Sequence, residues 1–456
     1  MDPAIQIKKE FHSTRQKLSL KEKISYGYGD IASNFVWGMV NSYLLFFYTD
    51  VFGITASVVG TLFLFTRVFD AVIDPIMGVF VDKTNSKHGK ARPYLLYVAI
   101  PFGILSVITF ITPDISYTGK IVYAYITYGL LGIVYTMINI PYGVLVPLMT
   151  RDSKEKGELN SYRAIGRSIG AIIVASLTLP LVNYLGRGNQ QVGFPIVIAI
   201  YSVIGVLLFW LTFKYCKERV HPVMQDKKET SVKKSVVQMF KNKYWLLTSL
   251  NSFLYFVRLG IMNGILIYYV NYVLGQPKMV PYYLTLLNLA NLAGGFFALS
   301  ILRKYSSRNS SILVYAIAAV LLASLYFVNG ESVVLFSAIF FLANVMIGYG
   351  DPANLTMLGD TIDYQEWKFG DRPEGLLVSS YSFSTKFGVA LGSSLLAYAL
   401  GWVGYNPLAI TQQVKDMIVL LMLGVPLVIT ILQVAVLYFY KLDQHHGEIV
   451  NALKNK

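Results

Sequence analysis

The sequence feature that most constrains the fold is a succession of apolar segments, each roughly twenty residues long or longer, which is enough for a helix to cross a bilayer. The chain is 55% hydrophobic and only 14% charged, whereas about 25% of the residues of soluble domains are charged. We therefore predict an all-α polytopic membrane protein with twelve transmembrane helices, at residues 24–48, 55–82, 93–113, 119–149, 160–185, 194–215, 244–274, 279–302, 310–329, 332–362, 374–402 and 415–440.

The basic residues of the loops indicate how these spans are oriented. Thirty of the 39 lysines and arginines fall in the tails and in loops on one side, and four fall on the other: Lys120, Arg187, Lys278 and Lys415. Because basic residues accumulate in cytoplasmic loops, both termini are predicted to be cytoplasmic. Basic loops also account for the net charge of +14 without nucleic-acid binding.

The longest polar break, residues 216–243, divides the spans into two groups of six. A short repeat supports this division, because the first span of each group ends similarly, FFYTDVFG at Phe46–Gly53 and YYVNYVLG at Tyr268–Gly275. Parallel six-helix repeats are typical of secondary transporters. The predicted domains are a cytoplasmic tail at 1–23, a bundle at 24–215, a cytoplasmic loop at 216–243, a bundle at 244–440 and a cytoplasmic tail at 441–456.

The central loop contains apolar residues at near-helical spacing with lysines between them: Val232, Val236, Phe240 and Trp245. This pattern suits an amphipathic helix lying on the anionic inner leaflet. A solvated linker is the alternative interpretation.

Three ionisable residues lie within the second predicted span, where a charge is costly. Arg67, Asp70 and Asp74 are spaced i, i+3, i+7 and share one helix face. Two carboxylates one turn apart repel each other unless one is protonated or a cation lies between them. We predict that the two aspartates hold Na⁺ or a transferable proton, with Arg67 and Lys386 as counter-charges. The alternative is a static network of ion pairs between helices.

The fourth predicted span contains YTMINIPYGVLVP, in which Tyr135, Thr136 and Asn139 occupy adjoining positions of one face. Pro141 and Pro147 free backbone carbonyl groups nearby. An asparagine amide offers a donor and an acceptor, which suits a sugar hydroxyl. Hydrogen bonding between helices is the alternative role.

Two pairs of polar residues have i, i+4 spacing near the cytoplasmic side. Asp30 and Asn34 share a face of the first span, where Asp30 has either a pocket role or an interfacial ion pair. Arg163 and Arg167 begin the fifth span, and we expect one to reach the cavity and the other to extend to the interface.

Two isolated charges in the second group of spans, Arg258 and Asp351, have no evident partner nearby in sequence. We predict that they pair with each other. Intramembrane charges of this kind are paired or functional in most membrane proteins.

Enzyme signatures are missing from the sequence. It has no HExxH, GxSxG or Walker GxxxxGK[ST] motif, and all of its histidines fall outside the predicted spans. The prediction is therefore a non-enzymatic protein without a nucleotide site, for which an ion gradient is the simplest energy source.

Five stretches resemble the glycoside–pentoside–hexuronide:cation symporters of the major facilitator superfamily. They are KEKISYGYGD, FFYTDVFG, RVFDAVIDPIMGVFVDKTNSKHGKARPY, INIPYGVLVP and DTIDYQEWKFGDR, in the same order over nearly the whole chain. The resemblance implies the major facilitator fold, with two pseudo-symmetric six-helix bundles in a bacterial inner membrane. It also implies symport of a sugar with Na⁺ or H⁺, no cofactor beyond that ion, and the lipid bilayer as surroundings. We expect a functional monomer that binds no nucleic acid.

The resemblance also implies a set of cation-site residues. The two second-span aspartates that bind the coupling cation match Asp70 and Asp74, and the fourth-span threonine that assists them matches Thr136. The eleventh-span lysine that links the cation and sugar sites matches Lys386. Arg67 is expected to be the electrostatic partner of the aspartates.

At the sugar site the chain departs from melibiose permease, the best-known member. Its fifth-span arginine and fourth-span tyrosine match Arg163 and Tyr135 of this chain. Two of its sugar-binding aspartates, however, are replaced here by Asn34 and Asn139. One tryptophan falls at Gly143, and another aligns near Asp351. The predicted sugar-binding residues are Asn34, Tyr135, Asn139, Arg163 and Asp351.

These departures disfavour an α-galactoside, and the INIPY form resembles members associated with pentosides and β-xylosides. The predicted cargo is therefore a glycoside or pentoside, including a β-xyloside or an oligosaccharide. A hexuronide is an alternative, because Asn34 and Asn139 would not repel a carboxylate and Arg163 would attract it, although Asp351 argues against it. An uncoupled sugar facilitator and an amphiphile transporter on the same fold are further alternatives.

The stretch from Gly78 to Lys90 resembles the cytoplasmic loop motif of the superfamily. We expect this loop to latch the outward-facing state, with the DYQEWKFGDR stretch as its partner. The predicted gating residues are Asp82, Lys83, Arg92, Asp363 and Arg372.

Overall fold

The computed structural model describes residues 17–150, 152–220, 232–302, 304–328 and 332–454. Over these residues the chain is almost entirely helical and contains no β-strand. Eight helical segments are long and apolar enough to span a membrane, and the all-α fold class is confirmed. The side chains of Arg67, Asp70 and Asp82 lie outside the described part of the structure, as do residues 1–16 of the predicted N-terminal tail.

The helices of the first six spans agree closely with the apolar segments. The third span differs, because it is divided at Val98 and its second helix ends at Thr109 rather than at residue 113. The observed helices are α1 (Leu20–Phe46), α2 (Ala56–Lys83), α3 (Arg92–Tyr97), α4 (Ala99–Thr109), α5 (Tyr117–Met149), α6 (Ser153–Leu185) and α7 (Gln190–Tyr215).

The second group of spans also follows the prediction, with breaks in two spans. The predicted span 415–440 consists of two α-helices joined by a π-helix at Leu420–Gly424. The predicted span 332–362 is two helices that meet at Tyr349. The helices are α8 (Val232–Lys241), α9 (Lys243–Tyr268), α10 (Val280–Leu302), α11 (Ser307–Ser324), α12 (Val333–Gly348), α13 (Gly350–Phe369), α14 (Glu374–Trp402), α15 (Gln412–Val419), α16 (Val425–Phe439) and α17 (His446–Lys454).

The two copies of the short repeat have the same local structure. α1 continues into a π-helix at Phe47–Val51, and α9 continues into one at Tyr269–Val273. Each π-helix is followed by a glycine with a left-handed backbone, Gly53 at φ +81° and Gly275 at φ +64°. Glycine adopts that conformation without the steric penalty of a Cβ atom. The shared geometry supports an internal repeat.

The chain forms two compact units. The first unit takes in the described residues of Met1–Val40 and Val68–Gln225, and the second takes in those of Asn41–Arg67 and Asp226–Lys456. The predicted domains, with bundles at 24–215 and 244–440, stay a prediction.

Polar contacts attach the segment after residue 40 to the rest of the second unit. The Thr49 and Tyr268 hydroxyl oxygens lie 2.8 Å apart. Asp50 Oδ1 accepts hydrogen bonds from the hydroxyls of Tyr272 at 2.7 Å and Tyr405 at 2.8 Å. The repeat at Phe46–Gly53 therefore packs against its own second copy through side chains from both.

The predicted central-loop helix is present as α8, but it is shorter than its apolar pattern. Residues 221–231 lie outside the described part, and Trp245 belongs to α9, where it packs edge-on against Phe240. Ser235 Oγ donates to Asp371 Oδ2 at 3.0 Å and Met239 is buried, whereas Phe240 is exposed. One face of α8 thus rests on the protein.

Candidate functional site

A polar stripe runs along α5, where Tyr135, Asn139 and Gly143 are spaced four residues apart and therefore share one face. The Asn139 amide nitrogen donates to the Tyr135 hydroxyl, which fixes the two side chains against each other. Both are partly exposed. A Cβ built at Gly143 would meet no atom closer than Arg163 Nη1, at 4.0 Å. The stripe therefore ends in open space beside a guanidinium group.

A second stripe, on α1, lies opposite the first and consists of Asp30, Asn34 and Trp37. The Trp37 and Tyr135 rings stack with centroids 4.3 Å apart and an angle of 8° between their planes. Asn34 Nδ2 donates to the Asp30 carbonyl oxygen at 2.9 Å, and the amide Oδ1 is the acceptor of the same side chain. Sequence reasoning missed Trp37, although its i+3 position from Asn34 was a usable signal.

Arg163 of α6 joins the two stripes at the ends marked by Asp30 and Gly143. Its Nε lies 2.7 Å from Asp30 Oδ2, and Asp30 is only 5% exposed. The guanidinium also lies over the Tyr142 ring, 5.0 Å from its centroid. Asp30 was considered for a pocket role or for an interfacial ion pair. In the structure it forms an ion pair with Arg163, within the first unit and beside the predicted sugar residues.

Small residues hold α1 against α5 and α6 closely enough for these contacts. A Cβ added at Gly166 would collide with the Gly27 carbonyl oxygen, and one added at Gly170 would lie 2.8 Å from Asn34 Cβ. A Cβ at Gly29 would collide with the Tyr142 ring. The absence of side chains at these positions sets the distance between the helices.

Two of the predicted cation residues, Asp74 and Thr136, meet between α2 and α5. The Thr136 hydroxyl, which is 4% exposed, donates to Asp74 Oδ1 at 3.0 Å. A carboxylate and a hydroxyl are hard oxygen ligands of the kind that Na⁺ prefers, and a carboxylate also accepts a proton. Asp70 and Arg67 belong to the same helix, but their side chains are outside the described part.

The remaining predicted residues lie in the second unit. Lys386 lies in the middle of α14, and Asp351 in the first turn of α13. Arg258 of α9 is fully buried, where its Nη1 donates to Thr430 Oγ1 at 2.7 Å and its guanidinium lies near two tyrosine rings. The pairing of Arg258 with Asp351 stays a prediction.

The predicted gating residues of the first unit lie at the end of α2 and the start of α3. Lys83 is exposed in the last turn of α2. Arg92 donates from Nε and Nη2 to the Phe213 carbonyl oxygen at 3.1 and 2.6 Å, so it binds the C-terminal turn of α7. Glu218, which sequence reasoning missed, accepts the backbone N–H groups of Lys90, Ala91 and Arg92 at 2.8–3.1 Å.

The gating residues of the second unit form an ion-pair cluster. Arg372 Nη1 lies 3.0 Å from Asp363 Oδ1 and 2.7 Å from Glu366 Oε2. His446, at the start of α17, lies 3.2 Å from the other oxygen of Asp363. The cluster therefore binds the C-terminal helix to α13. Whether the loop before Arg92 pairs with it stays a prediction.

Known proteins match the chain over almost its whole length. The family model described as MFS/sugar transport protein matches residues 25–444. A putative glycoside/cation symporter of Escherichia coli, YagG, is 36% identical over 95% of both chains. The isoprimeverose transporter of Lactiplantibacillus pentosus is 33% identical, over 95% of this chain and 91% of its own.

The fold has solved counterparts as well. The nucleoside transporter NupG, in its D323A mutant, superposes with a TM-score of 0.65 at 14% identity, over 91% of this chain and 99% of that one. At that identity the likeness concerns the fold alone. The family match and the sequence relatives show more than the fold, and they identify the protein as a membrane transporter and not an enzyme. The chain belongs to the MFS/sugar transport family and, within it, to the glycoside–pentoside–hexuronide:cation symporters.

Proposed function

We propose that the protein imports a neutral glycoside or pentoside, of which a β-xyloside or a xylose-containing oligosaccharide is the foremost candidate, by symport with Na⁺ or H⁺. The names of the relatives, a glycoside/cation symporter and an isoprimeverose transporter, support this cargo class. The two amides at Asn34 and Asn139 support it too, since they bind hydroxyl groups without adding charge.

One observation supports coupling above the others. Tyr135 and Thr136 are adjacent in α5, yet Thr136 donates to Asp74 while Tyr135 stacks on Trp37 in the sugar stripe. A cation that neutralises the Asp74 carboxylate therefore acts on the same helical turn that orders the sugar residues. By linkage, the sugar must tighten cation binding by the same factor by which the cation tightens sugar binding.

In the proposed cycle the cation binds first at Asp74, together with Asp70, and neutralises the buried negative charge. The sugar then binds to the α1 and α5 stripes and to Arg163. A sugar role for Asp351 and a cation role for Lys386 stay predictions. The loaded protein next opens to the cytoplasm by alternating access. We propose a location in the bacterial inner membrane with both termini cytoplasmic, because basic residues are concentrated in the tails and the loops on their side.

The test is uptake of radiolabelled methyl β-xyloside into proteoliposomes with imposed Na⁺ or proton gradients. We expect Asp74→Asn to abolish gradient-driven uptake. Thr136→Val should raise the cation concentration for half-maximal uptake by about tenfold, since one hydrogen bond to a charged group is worth about 1.5 kcal/mol. Asp114→Asn, at an exposed external position, is the control. Full gradient-driven uptake by Asp74→Asn would end the cation-site proposal.

The sugar stripe is tested separately with Asn139→Ala. Removing the amide deletes a partner of the Tyr135 hydroxyl, so we expect weaker sugar affinity with unchanged cation affinity. Unchanged sugar affinity would remove Asn139 from the site. Sugar flux that is indifferent to every cation gradient would instead identify an uncoupled facilitator.

A further inference from the structure

The carboxylate of the α1 stripe, that of Asp30, is engaged by an arginine. Asp30 is 5% exposed, and its Oδ2 lies 2.7 Å from Arg163 Nε, whereas the neighbouring polar positions of the two stripes, Asn34 and Asn139, are uncharged amides. A charge-assisted hydrogen bond of this length is strong and directional. One edge of the guanidinium is therefore occupied before any substrate arrives.

The other parts of the guanidinium are fixed as well. Its flat face lies over the Tyr142 ring. That ring is itself held, because Tyr26 Oη donates to the Tyr142 carbonyl oxygen at 3.1 Å and the two rings stack 4.6 Å apart. Nη1 is the atom nearest to the empty position above Gly143. Asp30 and Tyr142 thus aim the Nη end of Arg163 at the α5 stripe.

The pairing changes what Arg163 can recognise. An isolated guanidinium attracts a carboxylate strongly and binds it through two parallel hydrogen bonds. The pair formed by the Arg163 guanidinium and the Asp30 carboxylate has no net charge. The guanidinium nevertheless still presents N–H donors at Nη1. Donors on a neutral pair suit hydroxyl oxygens, whereas an incoming carboxylate would face the negative charge of Asp30 close behind the arginine.

We propose that Asp30 is a positioning residue that fixes Arg163 and makes this site select neutral glycosides over uronides. The inference rests on the proposed function and names the substrate class of that same site. Arg167, one turn further along α6, is exposed and also interacts electrostatically with Asp30. Its own variant therefore belongs in the test.

The experiment measures inhibition of methyl β-xyloside uptake by a matched pair, methyl β-glucoside and methyl β-glucuronide, which differ in a hydroxymethyl against a carboxylate group. Wild type should prefer the glucoside. Asp30→Asn keeps an acceptor for Arg163 Nε but removes the charge, so the ratio of the two inhibition constants should shift towards the glucuronide by tenfold or more. Asp30→Glu should restore the wild-type ratio, and Asp114→Asn should leave it unchanged.

Three results would overturn the proposal. Wild-type preference for the glucuronide is the first, and it needs no variant. A parallel loss of both affinities in Asp30→Asn would leave Asp30 a structural role only. A shift of the ratio towards the glucoside in Arg167→Gln, combined with no shift in Asp30→Asn, would assign carboxylate selection to Arg167. Failure of the proposed function is distinguishable, because wild type would then transport no glycoside in response to any cation gradient.

Discussion

The cap that Glu218 forms on α3 makes a quantitative prediction possible. α3 has Ala91 at its N-terminal cap, whose side chain makes no capping hydrogen bond, and Glu218 supplies the missing acceptor from beyond α7. Its carboxylate accepts three backbone N–H groups, and hydrogen bonds to a charged group are worth about 1.5–3 kcal/mol each when buried. Because Glu218 is half-buried, we take about 1 kcal/mol for each bond, close to the cost of losing an N-cap.

Glu218→Ala should therefore lower the free energy of local opening at Lys90–Arg92 by about 3 kcal/mol, which corresponds to roughly a hundredfold faster amide exchange. Hydrogen–deuterium exchange of a peptide covering 86–97 measures this directly in detergent or nanodiscs. Glu218→Gln, which keeps one oxygen acceptor, should give a smaller acceleration. Asp114→Ala, in a remote exposed loop, should give none. Unchanged exchange in Glu218→Ala would refute the reasoning.

Gly89 supplies a double-mutant cycle for the same contact. Its φ is +101°, and a Cβ built there lies 2.5 Å from the Glu218 carboxylate carbon. Gly89→Ala should displace Glu218 and add a backbone penalty of about 1–2 kcal/mol. In the double variant the Glu218 contribution is already lost, so the two effects should fall short of additivity by about 2 kcal/mol. Strict additivity would mean that the two residues do not interact.

Three further predictions concern buried groups and helix packing of the first unit. Burial, with a contribution from the Glu22 carboxylate, raises the pKa of the Cys216 thiol to about 12. Maleimide should therefore label the folded protein about a thousandfold more slowly than the denatured one, because only the thiolate reacts. Fast labelling of the folded protein would contradict this prediction. Burial alone would raise the pKa of Glu22, but hydrogen bonds from Ser19 and Arg219 lower it below its ordinary value of 4.5. Its stabilisation is thus present at pH 7 and is lost as the pH falls below the ordinary value of 4.5, so the thermal destabilisation of Glu22→Gln should shrink on acidification below that pH; an unchanged difference at low pH would count against it. Gly166→Val should prevent normal folding, as judged by size-exclusion chromatography, whereas Gly157→Ala, with open space around it, should be tolerated; equal behaviour would show that the α1–α6 contact is not needed.

The sequence predicted some helices almost to the residue and missed breaks in others. The fourth span was predicted at 119–149 and is found at Tyr117–Met149, because apolar length and the proline positions are local properties. The interruptions at Val98 and Tyr349 were not predicted. Hydropathy records whether a segment prefers hydrocarbon, and it does not register a local change in the helical hydrogen-bond pattern.

The candidate site shows the same division. The link between Thr136 and Asp74 was expected from the family resemblance, and the two side chains do form a hydrogen bond. No partner was predicted for Arg163, and Trp37 was not considered. Asp30 and Arg163 are 133 positions apart, and no periodicity within one helix connects them.

By itself, the sequence determined the membrane environment, the extent of most spans and the polar stripe along each helix. The 3.6-residue period of the α-helix fixes which side chains share a face, wherever that helix is placed. Only the tertiary structure decided which stripes face each other. That choice depends on how closely helices pack, and here glycines on α1 and α6 allow their backbones to touch and bring Asp30 to Arg163. Packing of this kind depends on the shapes of both helix surfaces together, which neither segment specifies alone.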